Sequence, residues 1–464
     1  MALPEKINLS VPCPKGSKLI FFKPFKGWAN EENQNNIRSN TKMKKIFLFI
    51  LFICSMQVFS QTTDTLTLDI CQQKALENYP LIKQKDLINK TSELKLFNIA
   101  KAYLPQLSLN GQATYQSAVT ELPITIPGMD IPTLYKDQYK ATLDVTEVIY
   151  DGGLTSKQKK LEQVSLQSEL QSLETELYKV KDKVNTIYFG IIALQENKKL
   201  LLVLKDDIKN KLKKVESGVK NGVLLQSNAD VLSAEILKLE QQIIELESGI
   251  ESGFSMLGDY LNTTIPETSI LKLPETIVSA TDYENIRPEI KSFELLQQKL
   301  DVSKSLLDVK MIPKVAGFGE LGYGRPGLNM LSNSFDAFYL VGAKVTWTLW
   351  DWNQSKNDKQ LIDLQSQVLT TQKELFNQGI KILLEKNISD IQKYKDLLVK
   401  DQEIIALRKK ITLSAESQLE NGTITATEYL TELNAESTAK LNMETHKIQL
   451  VKAQVDYLTT KGKF

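Results

Sequence analysis

Hydrophobic residues recur along this chain with two different periods. Over 154–219, Leu166, Leu170, Leu173, Leu177, Val180, Val184, Ile187, Ile191 and Leu194 keep a strict 4-3 spacing. That is a heptad seam, which lays one apolar stripe along a helix. Lys198 and Lys205 interrupt it before Ile208, Leu212 and Val215 resume it. A helix of that length spans about 100 Å at 1.5 Å per residue, more than a globular domain needs. A matching helix is predicted over 354–419, with a blurred seam: Ile380, Leu384 and Ile391 fit, but Asn377 and Asn387 fall on it.

Elsewhere the period is two. Leu107, Leu109, Gly111, Ala113 and Tyr115 alternate with Ser108, Asn110, Gln112 and Thr114. Tyr139, Ala141, Leu143, Val145 and Ile149 alternate with Lys140, Thr142, Asp144 and Thr146. Tyr339, Val341, Ala343, Val345, Trp347 and Leu349 alternate with Gly342, Lys344, Thr346 and Thr348, and 314–324 follows less cleanly. Strands are therefore predicted over 107–117, 138–149, 314–324 and 338–350. Roughly ten residues with one apolar and one polar face, ending in aromatics, is the pattern of a transmembrane β-strand. On that reading Tyr139, Tyr339, Trp347 and Trp350, with Trp352, form aromatic girdles, and Lys140, Asp144 and Lys344 face a wet lumen. A half-buried soluble sheet gives the same alternation but leaves the aromatic ends without a reason.

The two periods occur twice in the same order. Tyr150-Asp151-Gly152-Gly153 is echoed by Trp350-Asp351-Trp352-Asn353, and Lys220-Asn221-Gly222 by Glu420-Asn421-Gly422, both at an offset of 200. A tandem repeat follows, with one copy over 61–270 and the other over 271–464. Each copy reads as a helix (81–103, 289–311), two strands, a long helix, and a return helix (224–258, 425–461). A short amphipathic helix over 68–78 precedes the first copy's helix. Asn-Gly ends each long helix as a C-cap. Turn-rich loops join the strands, the first with Pro123, Pro127, Gly128 and Pro132 and the second with Pro326, Gly327, Asn329 and Asn333. A helix before the strands can stack end to end with a return helix, so that each copy is a coiled-coil hairpin fused to two strands.

Composition adds an export signal. Met43-Lys44-Lys45, the apolar run Ile46 to Ile53 and Val58-Phe59-Ser60 make a signal peptide,. Residues 1–60 are read as leader, with the true start at Met43 and cleavage after Ser60. Cys54 resembles a lipidation site, but Ile53 is bulky where a small residue is needed. The nine basic and three acidic residues of 1–60 leave 48 basic against 53 acidic, a net charge of about −5. That charge gives no reason to expect nucleic acid. Beyond residue 60 the chain keeps one cysteine, Cys71, and no apolar run long enough for a membrane helix,. Four membrane strands cannot close alone, because the smallest such barrels have about eight. Two copies would give eight strands and three would give twelve, with room for a pore.

Signal peptide, tandem repeat, paired strands, long helices and Asn-Gly tips together resemble the outer membrane efflux protein family, the TolC-like outer-membrane factors. The resemblance covers 61–464. It implies a mainly α fold with a transmembrane β-barrel portion: a homotrimer whose four strands per chain close a 12-stranded barrel over an α-helical tunnel. It implies an exit duct in the outer membrane of a Gram-negative bacterium, surrounded by outer-membrane lipid and extending into the periplasm. Such a duct serves a tripartite efflux or type I secretion system, with a periplasmic adaptor and an inner-membrane transporter, and exports small molecules or proteins passively. A non-conducting periplasmic scaffold or adhesin is the alternative, though it has no use for membrane-facing strands.

The resemblance also implies where a duct would narrow and dock. Adaptor docking falls at the tips, Asn221, Gly222, Asn421 and Gly422. Aligned on Gly422, the family's aperture positions hold Leu419, Ile424, Glu428 and Thr431, with Ser227 and Asn228 on the first tip. Only Glu428 keeps a carboxylate, so three copies would give one acidic ring. A solvated glutamate in the first turn of a helix is the plainer reading. No enzyme chemistry, cofactor or metal is expected. His446 is the only histidine and has no ligand spacing around it, so it reads as a surface or packing residue. Gly317-Phe318-Gly319-Glu320-Leu321-Gly322 matches a dinucleotide fingerprint by letter but lies inside a strand pattern, where small residues suit a bend.

Overall fold

The computed structural model describes residues 65–120, 133–275 and 285–463. The predicted leader with Met43, Cys54 and Ser60, and the loop residues Pro123, Pro127, Gly128 and Pro132, lie outside these residues.

Along the chain run β1 (Thr65–Leu66), α1 (Leu68–Asn78), α2 (Gln84–Ala100), β2 (Gln106–Tyr115), β3 (Asp137–Tyr150), α3 (Leu154–Lys220) and α4 (Gln226–Leu261). Then come β4 (Ile270–Leu271), α5 (Pro288–Asp308), β5 (Lys314–Arg325), β6 (Asp336–Thr346), α6 (Gln354–Glu420) and α7 (Ala426–Lys461). The helix expected over 81–103 is broken by 3-10 turns at Pro80–Lys83 and Lys101–Tyr103, and another such turn, Val309–Met311, follows α5.

The sheet has the order β2-β3-β5-β6, antiparallel throughout. Its register puts Leu109, Leu143, Leu321 and Tyr339 in one row, with Leu107, Val145, Gly319 and Val341 in another on the same face. The opposite face carries the row Ser108, Asp144, Glu320 and Leu340. One side is therefore apolar across all four strands in its middle rows, with Arg325 and Glu147 toward its two ends, and the other is largely polar. A bulge between Val148 and Tyr150 shifts the register at the helix end of β3.

Two strand readings need correction. The last strand ends at Thr346, not at 350, so Trp347 and Trp350 lie beyond it. β5 begins at Lys314, which pairs with Thr346. Pro313 before it has no N–H to offer, and among the described residues, 347–350 make no ladder pairing. The glycines of β5 and β6 also do more than allow a bend. Phe338 lies over Gly322 and Phe318 over Gly342, each across the strand pair, where an added Cβ would collide with the ring. These are reciprocal ring-over-glycine contacts.

Asp151 and Asp351 explain the echoed motif. Asp151 accepts hydrogen bonds from the N–H of Gly153 (2.8 Å) and of Thr155 (2.7 Å), and Asp351 from the N–H of Ser355 (2.8 Å). Each carboxylate satisfies the orphan donors that open a long helix. At the far ends Gly222 and Gly422 adopt φ +72° and +69°. The next residues bond back five positions, Val223 to Gly218 and Thr423 to Gln418, each at 2.9 Å,.

The long helices fold back on their return helices, α3 on α4 and α6 on α7. Leu173, Leu177, Val180, Val184 and Ile191 of the α3 seam are buried. The seam lysines pair with α4, Lys198 with Glu247 at 2.8 Å and Lys205 with Glu240 at 3.6 Å. On α6, Ile380, Leu384 and Ile391 pack against Ala453 and Tyr457 of α7. Asn387 bonds to Thr460 at 3.3 Å. The return helices meet the shorter helices end to end. The Ile286 N–H donates to the Lys461 carbonyl (3.1 Å), and Asn78 donates to the Leu261 carbonyl (3.1 Å) beside a Tyr79–Tyr260 stack. The parallel β1–β4 pair is too short to leave an alternation in sequence. Tyr188 clamps it, its hydroxyl lying 2.8 Å from the Leu66 carbonyl and 2.7 Å from that of Lys272.

Asp151→Ala strands two helix-opening N–H groups and costs about 1–2 kcal/mol. The expected result is a lower thermal unfolding midpoint by circular dichroism; an unchanged midpoint contradicts this account of the motif.

Candidate functional site

The two hairpin tips form one packed unit. Val215 of the α3 seam and Leu232 of α4 join Leu419, Ala426 and Tyr429 of the second hairpin in a single buried cluster. Leu224 and Ile424 pack against it from the turns. Leu419 and Ala426 are fully buried. Leu419, at a position the resemblance gives to the aperture, is thus core, and Ile424 is half-buried against that core.

Polar contacts tie the tips further. Asn228, near the start of α4, accepts a hydrogen bond from the Ala426 N–H at 2.9 Å. It thereby satisfies a donor at the first residue of α7, in the other hairpin. Glu428 forms a capping box with Thr425: it accepts from the Thr425 N–H (2.8 Å), and its own N–H donates to the Thr425 hydroxyl (3.3 Å). The Thr425 backbone and hydroxyl bonds hold this exposed carboxylate below its ordinary range. Ser227 and Thr431 are exposed, and the Thr431 hydroxyl bonds back to the Thr427 carbonyl. Asn221, Gly222, Asn421 and Gly422 are exposed at the turns.

Just above the tips lies a contact that reading the sequence missed. Lys211 of α3, 4% exposed, pairs with Glu416 (2.5 Å) and Glu420 (3.0 Å) of α6. Lys214 also reaches Glu420 at 3.0 Å. Hydrogen bonds from Lys211 and then Lys214 keep the Glu420 carboxyl below its usual range, and burial pushes the Tyr429 hydroxyl up. The Lys211 ammonium also stands 5.6 Å from the Tyr429 ring centroid. A cavity of about 270 Å³ adjoins the group, lined by Lys211, Lys214, Glu416, Tyr429, Glu436 and Lys440. A buried cation with one partner removed is strongly destabilising, so this cluster clamps one hairpin to the other. The legible signal was the charge pattern before each Asn-Gly: Lys211 and Lys214 in one copy, Glu416 and Glu420 in the other. His446, read as surface or packing, hydrogen-bonds Asp401 at 2.7 Å between α6 and α7.

On the polar face of the sheet Lys140 pairs with Glu320 at 2.6 Å and stands over the Phe338 ring at 5.3 Å. Asp144, opposite Glu320, takes hydrogen bonds from Asn110 and Thr142 instead. Lys344 shares this face, opposite Ala316. On the apolar face Tyr139 joins Tyr135 and Phe335 around the Arg325 guanidinium, at 5.5, 4.7 and 5.2 Å, at the loop end. At the helix end Trp347 donates to the Met311 carbonyl (3.0 Å), and Trp350 meets Trp352 edge-on at 6.0 Å. Tyr339 lies within the apolar face opposite Leu321, not at its rim. Gly317 to Gly322 lies inside β5, paired on both sides, with no helix following as a dinucleotide turn requires,. Among the described residues no helix is long and apolar enough to cross a membrane, and no group of three or more His, Cys, Asp or Glu is placed to hold a metal.

The sequence matches no protein-family model and no curated protein. Solved structures do match. The fold is that of outer-membrane channels. The outer-membrane channel OprN superposes with a TM-score of 0.63 at 14% identity, over 86% of this chain and 90% of that one. The CmeC outer membrane channel of Campylobacter jejuni gives 0.60 at 14% identity, over 85% of each chain. The open state of the MtrE outer membrane channel of Neisseria gonorrhoeae gives 0.60 at 13%, over 85% of this chain and 88% of that one.

Asn228→Ala removes the acceptor for the Ala426 N–H, at a cost of about 1 kcal/mol. Amide hydrogen exchange at Ala426 should quicken about fivefold; unchanged exchange contradicts the link between the tips.

Proposed function

We propose that this chain is the outer-membrane exit duct of a tripartite efflux or type I secretion system. It acts as a homotrimer in a Gram-negative outer membrane and passes small molecules or proteins outward without chemistry of its own. The observation that carries this reading is the sheet, apolar on one face, largely polar on the other, and open at β2 and β6. Unpaired N–H and C=O groups in lipid cost several kcal/mol each, so the edges must close against further copies. Three copies give twelve strands and leave a lumen.

The helices support the same assembly. Leu361, Leu364, Val368, Leu375 and Ile382 make an exposed apolar stripe on α6. Exposed Leu87, Leu94 and Phe97 on α2, and Leu237 and Ile244 on α4, offer apolar surface to a neighbouring copy. A periplasmic adaptor would dock at Asn221, Gly222, Asn421 and Gly422, where exposed Val223 and Leu225 supply apolar contacts, and an inner-membrane transporter would complete the complex. Glu428 would contribute one carboxylate per chain to the aperture, with Ser227, Asn228, Ile424 and Thr431 around it. A coiled-coil scaffold or adhesin leaves the two-faced sheet without a use.

In a planar bilayer the purified trimer should conduct, and Lys211→Met, which removes the clamp between the hairpins, should raise conductance or open probability. Correctly assembled trimers that insert yet stay silent, in wild type and in Lys211→Met alike, contradict the duct.

A further inference from the structure

The polar face of the sheet changes character where it joins the helices. Toward the loops its charges are matched: Lys140 by Glu320, and Asp144 by the donors Asn110 and Thr142. At the helix end the charged side chains on this face are Lys314 and Lys344. Their register partners are Thr346 and Ala316; Val148 of β3 stands in the Lys344 row, and β3 ends at Tyr150, opposite Val315, beside Lys314. Neither lysine has an ion pair or hydrogen bond from its side chain among the described residues.

Nearby carboxylates are committed elsewhere. Asp358 pairs with Lys310 at 3.0 Å, Asp308 pairs with Lys359, and Asp351 caps α6. Glu147 stands on the opposite face of the sheet, paired with Gly317. Closure of the barrel would not neutralise the lysines either. The strand that meets the free edge of β6 is a neighbour's β2, and Gln106–Tyr115 contains no charged residue. The two lysines are diagonal neighbours on one face of adjacent strands, within reach of each other for long side chains,.

We propose that Lys314 and Lys344 form a basic collar at the junction of barrel and helical tunnel, and that the collar draws small anionic solutes through the duct. The collar rests on the trimeric duct reading. Two ammonium groups from each chain place six in the ring, and the carboxylates of that wall are held by other groups, Glu320 by Lys140, Asp144 by Asn110 and Thr142, and Asp151 by the N–H groups of Gly153 and Thr155. A low-dielectric wall focuses such a field and raises the local concentration of counter-ions. Rings of Lys or Arg are how anion-selective pores are built. The attraction reaches about 10 Å at 0.1 M salt and about 3 Å at 1 M, so it fades as salt rises.

The test is the reversal potential of the full-length trimer in a planar bilayer under a potassium chloride gradient, with inorganic phosphate as a second probe. The chloride-to-potassium permeability ratio should fall several-fold in the Lys314→Gln/Lys344→Gln double variant and hold in Lys314→Arg/Lys344→Arg. Wild-type current should be reduced by phosphate, and more so at low salt, a readout that needs no substitution. Conducting channels with an unchanged ratio in the glutamine variant overturn the collar and leave the duct standing. Wild-type channels indifferent to phosphate at every salt concentration overturn it too. Inserted trimers silent in wild type and in Lys211→Met overturn the duct, and the collar with it.

Discussion

The structure depends on its two unpaired strand edges. β2 and β6 each leave a row of backbone donors and acceptors open, and the apolar face beside them suits lipid and not water. A sheet edge in hydrocarbon has only one remedy, which is pairing with another strand. In the proposed outer-membrane location, that requirement would make a chain with four strands one part of a ring. It also fixes where the helices go, because both long helices leave the same end of the sheet, after β3 and after β6. Ring closure of the strands would therefore arrange the helices around the same axis.

The tips are where the repeats stop being equivalent. Lys211 stands on the first long helix and its carboxylates on the second. Asn228 caps the helix of the other hairpin. The symmetry of the two repeats is broken at the tips by complementary charge, which holds one hairpin against the other. The polar face of the sheet is treated differently: Lys140 pairs with Glu320, while Lys314 and Lys344 have no such partner among the described residues.

Architecture was legible in the chain because it rests on periodicity. A period of two and a 4-3 seam survive in one sequence without knowledge of partners, and so do the Asn-Gly ends of both long helices. The site was less legible because its contacts join residues about two hundred positions apart, such as Lys211 and Glu416. Thr425 and Glu428 carry the spacing of a capping box, and the structure uses them so. Leu419 occupies a position the resemblance gives to the aperture, yet the cluster between the tips takes it up as core, with Ile424 half-buried against it. The seam of α6 looked blurred because that helix has two apolar faces. Ile380, Leu384 and Ile391 serve the partner within the chain, and Leu361, Leu364 and Val368 stay exposed. The end of β6 was misplaced because alternation continues through Trp347 and Leu349, while pairing stops with the strand beside it.

The number of chains in the ring tests the central claim most directly. Native mass spectrometry of the detergent-extracted, full-length protein should give a single species of three chains. A stable monomer would mean that the edges are satisfied within one chain, and a dimer would mean a closed eight-stranded barrel filled by side chains. Either result would contradict the twelve-stranded duct.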